Sequence, residues 1–160
     1  MWAEAARAVA LARAAGVSIA TAESVTGGLV CSALVDVPGA SAVVKGGIVA
    51  YDSEAKHTQL GVSKRLLETD GPVCHAVATS MARGARRQMG ADVAVSTTGV
   101  AGPETHGGKP PGTVIVAVVG PQGERVITVH LDGDRDEVRQ AAVGLALAHL
   151  EKMLSRLPQA

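Results

Sequence analysis

The sequence predicts an α/β fold, a three-layer α/β/α sandwich built on a mixed sheet. Helical periodicity alternates with short β-branched runs early in the chain, and a hairpin pattern comes late. Gly-rich junctions separate the segments. Alternating helices and strands favour parallel pairing, a hairpin adds antiparallel strands, and amphipathic helices need sheet faces to cover.

Residues 3–15, rich in Ala, read as a helix ended by Gly16, and Val17 to Thr21 as a buried strand. Leu29 to Val35 reads as a helix that stops before Pro38-Gly39. Val43 to Tyr51, rich in Val, Ile and Gly, reads as the next strand. After Gly71-Pro72, residues 74–89 read as a helix, with Val77, Met81, Ala85 and Met89 recurring on one face. Val93, Val95 and Thr97 make a short strand. Gly112 to Val119 and Arg125 to Leu131 follow, joined by Gly120-Pro121-Gln122-Gly123, which predicts an antiparallel hairpin. Residues 134–156 read as a long helix whose inward stripe is Val143, Leu147, Leu150 and Leu154.

A length of 160 residues suits one domain, 1–160, with one core. With one Trp, one Tyr and no Phe, the chain lacks the aromatic platform of single-strand binders. Fifteen basic residues balance fifteen acidic ones, which argues against a nucleic-acid partner. No apolar run is long enough for a membrane span, and Met1-Trp2-Ala3-Glu4 is not the start of a signal peptide. A cytoplasmic protein follows, with Cys31 and Cys74 as reduced, buried thiols on helices. The five histidines show no ligand spacing, so no metal is expected. A two-fold homodimer is the expected assembly, being the commonest.

Four segments carry polar groups suited to chemistry. The first, Thr21 to Gly28, leaves a strand and enters a helix. Its backbone N–H groups suit an anion or a polarised carbonyl, or Ser24 or Thr26 simply caps the helix. In Tyr51 to Lys56, at a strand end, Lys56 is either a solvated charge or a general base for Ser24. The base role requires burial that lowers its pKa. Tyr51 either contacts a ligand or packs in the core. The third segment, Ser96 to Thr113, is a long Gly/Pro-rich loop of a kind usually kept for function. In the fourth, Asp134 and Glu137 have capping-box spacing. Arg135 and Arg139 lie one turn apart there, as an anion clamp or as local partners of Asp136 or Asp132.

At these segments the sequence resembles the CinA C-terminal domain family of nicotinamide-nucleotide amidases. The matching strings are Ala22-Glu23-Ser24 with Thr26-Gly27-Gly28, Gly46-Gly47 through Tyr51, and Glu54-Ala55-Lys56 on to Gly61. Thr98 to Pro103, Lys109-Pro110 with Gly112-Thr113, and Gly133-Asp134-Arg135 complete them. The resemblance implies a stand-alone form that hydrolyses nicotinamide mononucleotide to nicotinate mononucleotide and ammonia without a cofactor. It implies Ser24 as nucleophile and Lys56 as general base. Thr26, Gly27, Gly28, Tyr51, Thr98, Gly99, Gly102, Arg135 and Arg139 would then hold the small-molecule nucleotide substrate. Three departures stand out: Val25 where Cys is usual, Asp52-Ser53 for Ser-Asn, and Glu104-Thr105-His106 for a Gly-rich stretch.

Overall fold

The computed structural model describes residues 1–159. The chain runs α1 (Ala3–Ala15), β1 (Ile19–Glu23), α2 (Leu29–Val35), a 3-10 turn (Ala40–Ala42) and β2 (Val44–Val49). It continues through α3 (Ser53–Leu60), α4 (Lys64–Asp70), α5 (His75–Met89) and β3 (Val93–Gly99). The last elements are β4 (Thr113–Gly120), β5 (Gly123–His130) and α6 (Arg135–Leu154).

The strands form one sheet in the order β2-β1-β3-β4-β5. β1 lies parallel to both β2 and β3, whereas β4 runs antiparallel to β3 and to β5. The predicted hairpin is therefore the antiparallel edge of a mixed sheet. Along β4 every residue is buried, and alternate side chains feed two different cores. Val114, Val116 and Val118 pack with α1, α2 and α6, while Ile115, Ala117 and Val119 face α5 on the other side. α3 and α4 complete the second layer against α5. The architecture is the predicted three-layer α/β/α sandwich.

Small residues set the spacing of the second layer. Ala20, Ala22 and Ala94 of the sheet meet Val77, Met81 and Ala85 of α5. Beside Val77 and Met81 on α5, Gly84 lies directly against the Leu60 carbonyl at the end of α3, with no room for a Cβ.

Several boundaries differ from the sequence reading by one to three residues; β3 carries Ser96 to Gly99, which shortens the long loop, and the ends of β1 and β2 bear on the site. β1 spans Ile19–Glu23 rather than 17–21, because the Val17 N–H still bonds the Ala12 carbonyl and Ser18 is tied to the Asp92 carboxylate. The strand then continues through polar residues: Thr21 and Glu23 are fully buried. β2 stops at Val49, and Tyr51 to Lys56 is not a strand end. Asp52 caps α3 instead, its Oδ1 accepting the Ala55 N–H at 2.7 Å. Neither α3 nor α4 was expected. α3 is polar and has almost no apolar stripe, so only its caps, Asp52 and the left-handed Gly61, marked it in the sequence. The cysteines also differ: both are free but only partly buried, and Cys74 is the residue before α5. Among the described residues, no helix is long and apolar enough to cross a membrane.

Candidate active site

The three parallel strands deliver their following loops to one edge of the sheet, where ligands of open α/β sheets bind. Ser24 follows β1, Tyr51 and Asp52 follow β2, and Val100 to Gly102 follow β3. Between them lies a cleft of about 680 Å³, lined by Ser24, Tyr51, Lys56, Thr98, Gly102 and Arg135 among others. That volume suits a nucleotide-sized ligand.

Lys56 reaches the cleft floor from the first turns of α3. Its side chain is only 2% exposed. Nζ donates to Ser24 Oγ at 2.9 Å and to the Ala50 and Tyr51 carbonyls, each at 3.1 Å. Burial pulls the ammonium down from 10.5 to about 8, against the Asp52 charge, which raises it. The geometry suits proton transfer in either direction. When the amine is neutral, its two hydrogens remain on the two carbonyls and its lone pair faces Ser24 Oγ.

A stability prediction follows from the same group. Below pH 8 both folded and unfolded chains hold the Lys56 proton, so this residue adds no pH dependence there. Between about 8 and 10.5 only the unfolded chain binds it, so stability rises with pH. The expected gain across that window is about 3 kcal/mol. Urea unfolding at pH 7.5 and pH 10.5 measures it, and the gain should be missing when the same comparison is made with Lys56→Met.

The other residues singled out in the sequence divide into two groups. Tyr51, Thr98, Gly99, Gly102 and Arg135 all line the cleft. Tyr51 is 64% exposed, which overturns the core-packing alternative. Its hydroxyl accepts Arg135 Nη2–H at 3.0 Å, and Arg135 Nη1–H is held by the Gly102 carbonyl at 2.8 Å. These two bonds aim an exposed guanidinium across the cleft mouth. Thr98 turns its hydroxyl away, donating to the Pro72 carbonyl at 2.8 Å. The departures Asp52, Ser53, Glu104, Thr105 and His106 also line the cleft, as does Val25.

Thr26, Gly27, Gly28 and Arg139 are not on the cleft wall, which corrects their expected ligand roles. Thr26 is fully buried, donating to Glu23 Oε2 at 2.6 Å and paired with Thr97 Oγ1 at 2.7 Å. Gly27 and Gly28 take left-handed φ values of 59° and 101° to turn the chain into α2. Arg139 approaches this turn from behind, with Nε and Nη2 donating to the Val25 and Thr26 carbonyls at 3.1 and 3.3 Å. Its guanidinium is therefore engaged by backbone, and the pair of arginines forms no joint clamp. Arg139 braces the Ser24 loop; Arg135 alone faces the cleft. Neither pairs with Asp132 or Asp136.

Glu23, which the sequence marks only as part of the motif around Ser24, has a role of its own. Its carboxylate caps α2, accepting N–H bonds from Gly28, Val30 and Cys31 at 3.1, 3.0 and 2.8 Å. The α2 N-terminus is thus closed from within, which is why neither Ser24 nor Thr26 caps it in the ordinary way. An acidic residue followed by a turn and two glycines was the only signal.

Fold and site together define a three-layer α/β domain that carries a buried serine–lysine pair at the carboxyl edge of its parallel strands. Comparison with known proteins gives its family. The CinA C-terminal domain model matches residues 3–154, and the chain belongs to that family. A CinA-like protein of Frankia casuarinae is 46% identical over 141 residues, covering 88% of this chain and 33% of the relative. The chain therefore spans about a third of the length of such curated relatives. A CinA superfamily protein from Klebsiella pneumoniae superposes with a TM-score of 0.91 at 32% identity, covering 95% of this chain and 96% of the other. For a competence/damage-inducible protein from Agrobacterium tumefaciens the TM-score is 0.87 at 38% identity, with 96% and 94% covered.

Proposed function

We propose that the chain hydrolyses the carboxamide of nicotinamide mononucleotide to nicotinate mononucleotide and ammonia. The observation that carries this reading is the buried 2.9 Å contact between Lys56 Nζ and Ser24 Oγ at the floor of a nucleotide-sized cleft. The neutral Lys56 amine takes the Ser24 proton as Oγ attacks the carboxamide carbon. The resulting lysine ammonium gives that proton to the departing nitrogen, so ammonia leaves and an acyl ester remains on Ser24. Water then attacks the ester while Lys56 accepts its proton. The C–Oγ bond breaks, Ser24 recovers a proton from Lys56, and the carboxylate product is released.

Tyr51 and the Thr98–Gly99 strand end are the surfaces for the pyridine and ribose. Arg135, fixed by Tyr51 Oη and the Gly102 carbonyl, is the group for the 5′-phosphate.

The test is ammonia release from nicotinamide mononucleotide by the purified chain, with nicotinamide riboside as the phosphate-free comparison. Release from the nucleotide supports the reading; calorimetric binding without release moves the chain to a binding role. Arg135→Ala is expected to raise KM for the nucleotide about tenfold to a hundredfold, as loss of a charged hydrogen bond predicts. KM for the riboside should stay unchanged. Equal losses on both substrates would remove Arg135 from phosphate recognition.

A further inference from the structure

Among the described residues, Glu23 and Lys56 are the two buried charged side chains, and the reaction above uses only Lys56. A carboxylate is rarely buried without a task, since its hydration must be replaced in full. Glu23 replaces it with five donors. Oε2 accepts from Thr26 Oγ1 and from the Gly28 and Val30 N–H groups, and Oε1 from Thr21 Oγ1 and the Cys31 N–H. Because Thr26 donates to Glu23, the Thr97 hydroxyl must donate to Thr26. These contacts fold residues 24–28 into one fixed turn around the carboxylate. Arg139 holds the same turn from outside through the Val25 and Thr26 carbonyls.

The turn leaves an uneven pattern of backbone donors. The Ser24 N–H is bonded to the Thr97 carbonyl at 3.0 Å and the Gly27 N–H to the Ser24 carbonyl at 3.1 Å. Gly28 is taken by Glu23. Between them, the Val25 and Thr26 N–H groups make no hydrogen bond to any of the described residues. They directly follow the proposed nucleophile, and of the two residues Val25 lines the cleft whereas Thr26 is fully buried.

We infer that Glu23 is a positioning residue for acyl transfer: its carboxylate holds the 24–28 turn so that the Val25 N–H, on the cleft wall, stays free to receive the oxyanion formed when Ser24 attacks. This rests on the amidase reading. Fixed donors aimed at developing charge lower the barrier without tightening ground-state binding. A neutral glutamine at 23 would present its own N–H groups to a ring of donors and let the turn shift.

The experiment measures kcat and KM for ammonia release by wild type, Glu23→Gln, Thr26→Val and Thr26→Ser. A fluorophosphonate labelling rate at Ser24 is measured for each. Glu23→Gln is expected to lower kcat about a hundredfold, the scale of a lost oxyanion donor, with KM within about threefold. If that variant does not fold, Thr26→Val carries the test. It removes one donor to Glu23 and should lower kcat about tenfold, while Thr26→Ser keeps the hydroxyl and the wild-type rate. Unchanged kcat in folded Glu23→Gln or Thr26→Val, or a loss confined to KM, overturns the role. Wild type that labels at Ser24 but releases no ammonia removes the amide reading alone, and the labelling rates then decide for or against Glu23. Wild type that neither labels nor turns over overturns both.

Discussion

Ser24→Ala is expected to abolish ammonia release, lowering kcat by at least about 10⁴-fold, the scale seen when a nucleophile is removed from an acyl-transfer site. Oγ is the atom that Lys56 Nζ touches on the cleft floor, and no other hydroxyl contacts that nitrogen. Two other hydroxyls of these segments, Thr26 and Thr98, donate to Glu23 and to the Pro72 carbonyl. Nucleotide binding should survive within about threefold, since the phosphate and ring surfaces are untouched and uniform binding is separate from the chemical step. Ammonia assay and calorimetry on the same preparation check both halves. Turnover retained by a folded Ser24→Ala protein would reject the covalent mechanism outright.

Lys56→Met should be nearly as damaging, about 10³-fold to 10⁴-fold in kcat, because without it the serine proton has no acceptor. Lys56→Arg should not rescue: a guanidinium stays charged and cannot accept a proton. In wild type, only the neutral amine is the active base. Activity as kcat/KM should therefore rise with pH through a midpoint near 8, falling about tenfold per unit below it. A flat profile between pH 6 and 9 would exclude Lys56 as the base. Loss of activity without loss of fold is the expected pattern, because replacing Lys56 with Met relieves a buried charge as well as removing three hydrogen bonds.

How much of this was legible in the sequence depended on how each residue is held. Periodic apolar stripes marked α5 and α6, and Gly120 to Gly123 marked the hairpin, because these signals are local. Ser24 and Lys56 were legible as a pair only through the ordered motifs; their contact spans 32 positions and depends on a helix, α3, whose residues are mostly polar. Arg139 shows the limit. One turn from Arg135 on the same helix, it looked equivalent, but four residues of rotation and rise carry it to the other side of the Ser24 turn, where backbone carbonyls claim it. Glu23 was hidden for the opposite reason. Strand patterning treats a charged residue as an end, whereas five donors, four of them from later residues, make it the middle of a buried network.

The bare flank at Gly84 has a consequence for the proposed chemistry. Lys56 sits one turn before Leu60 on α3, and Leu60 is where that helix presses its backbone onto α5. α5 in turn is bedded on β1, the strand that Ser24 directly follows. The separation of base from nucleophile is therefore gauged by a stack of main chains, glycine on carbonyl and helix on strand, with no adjustable side chain at the glycine step. A single methyl group at position 84 would act as a shim beneath α3. It would lift the lysine away from the serine by a mechanical displacement that begins where two helix backbones meet.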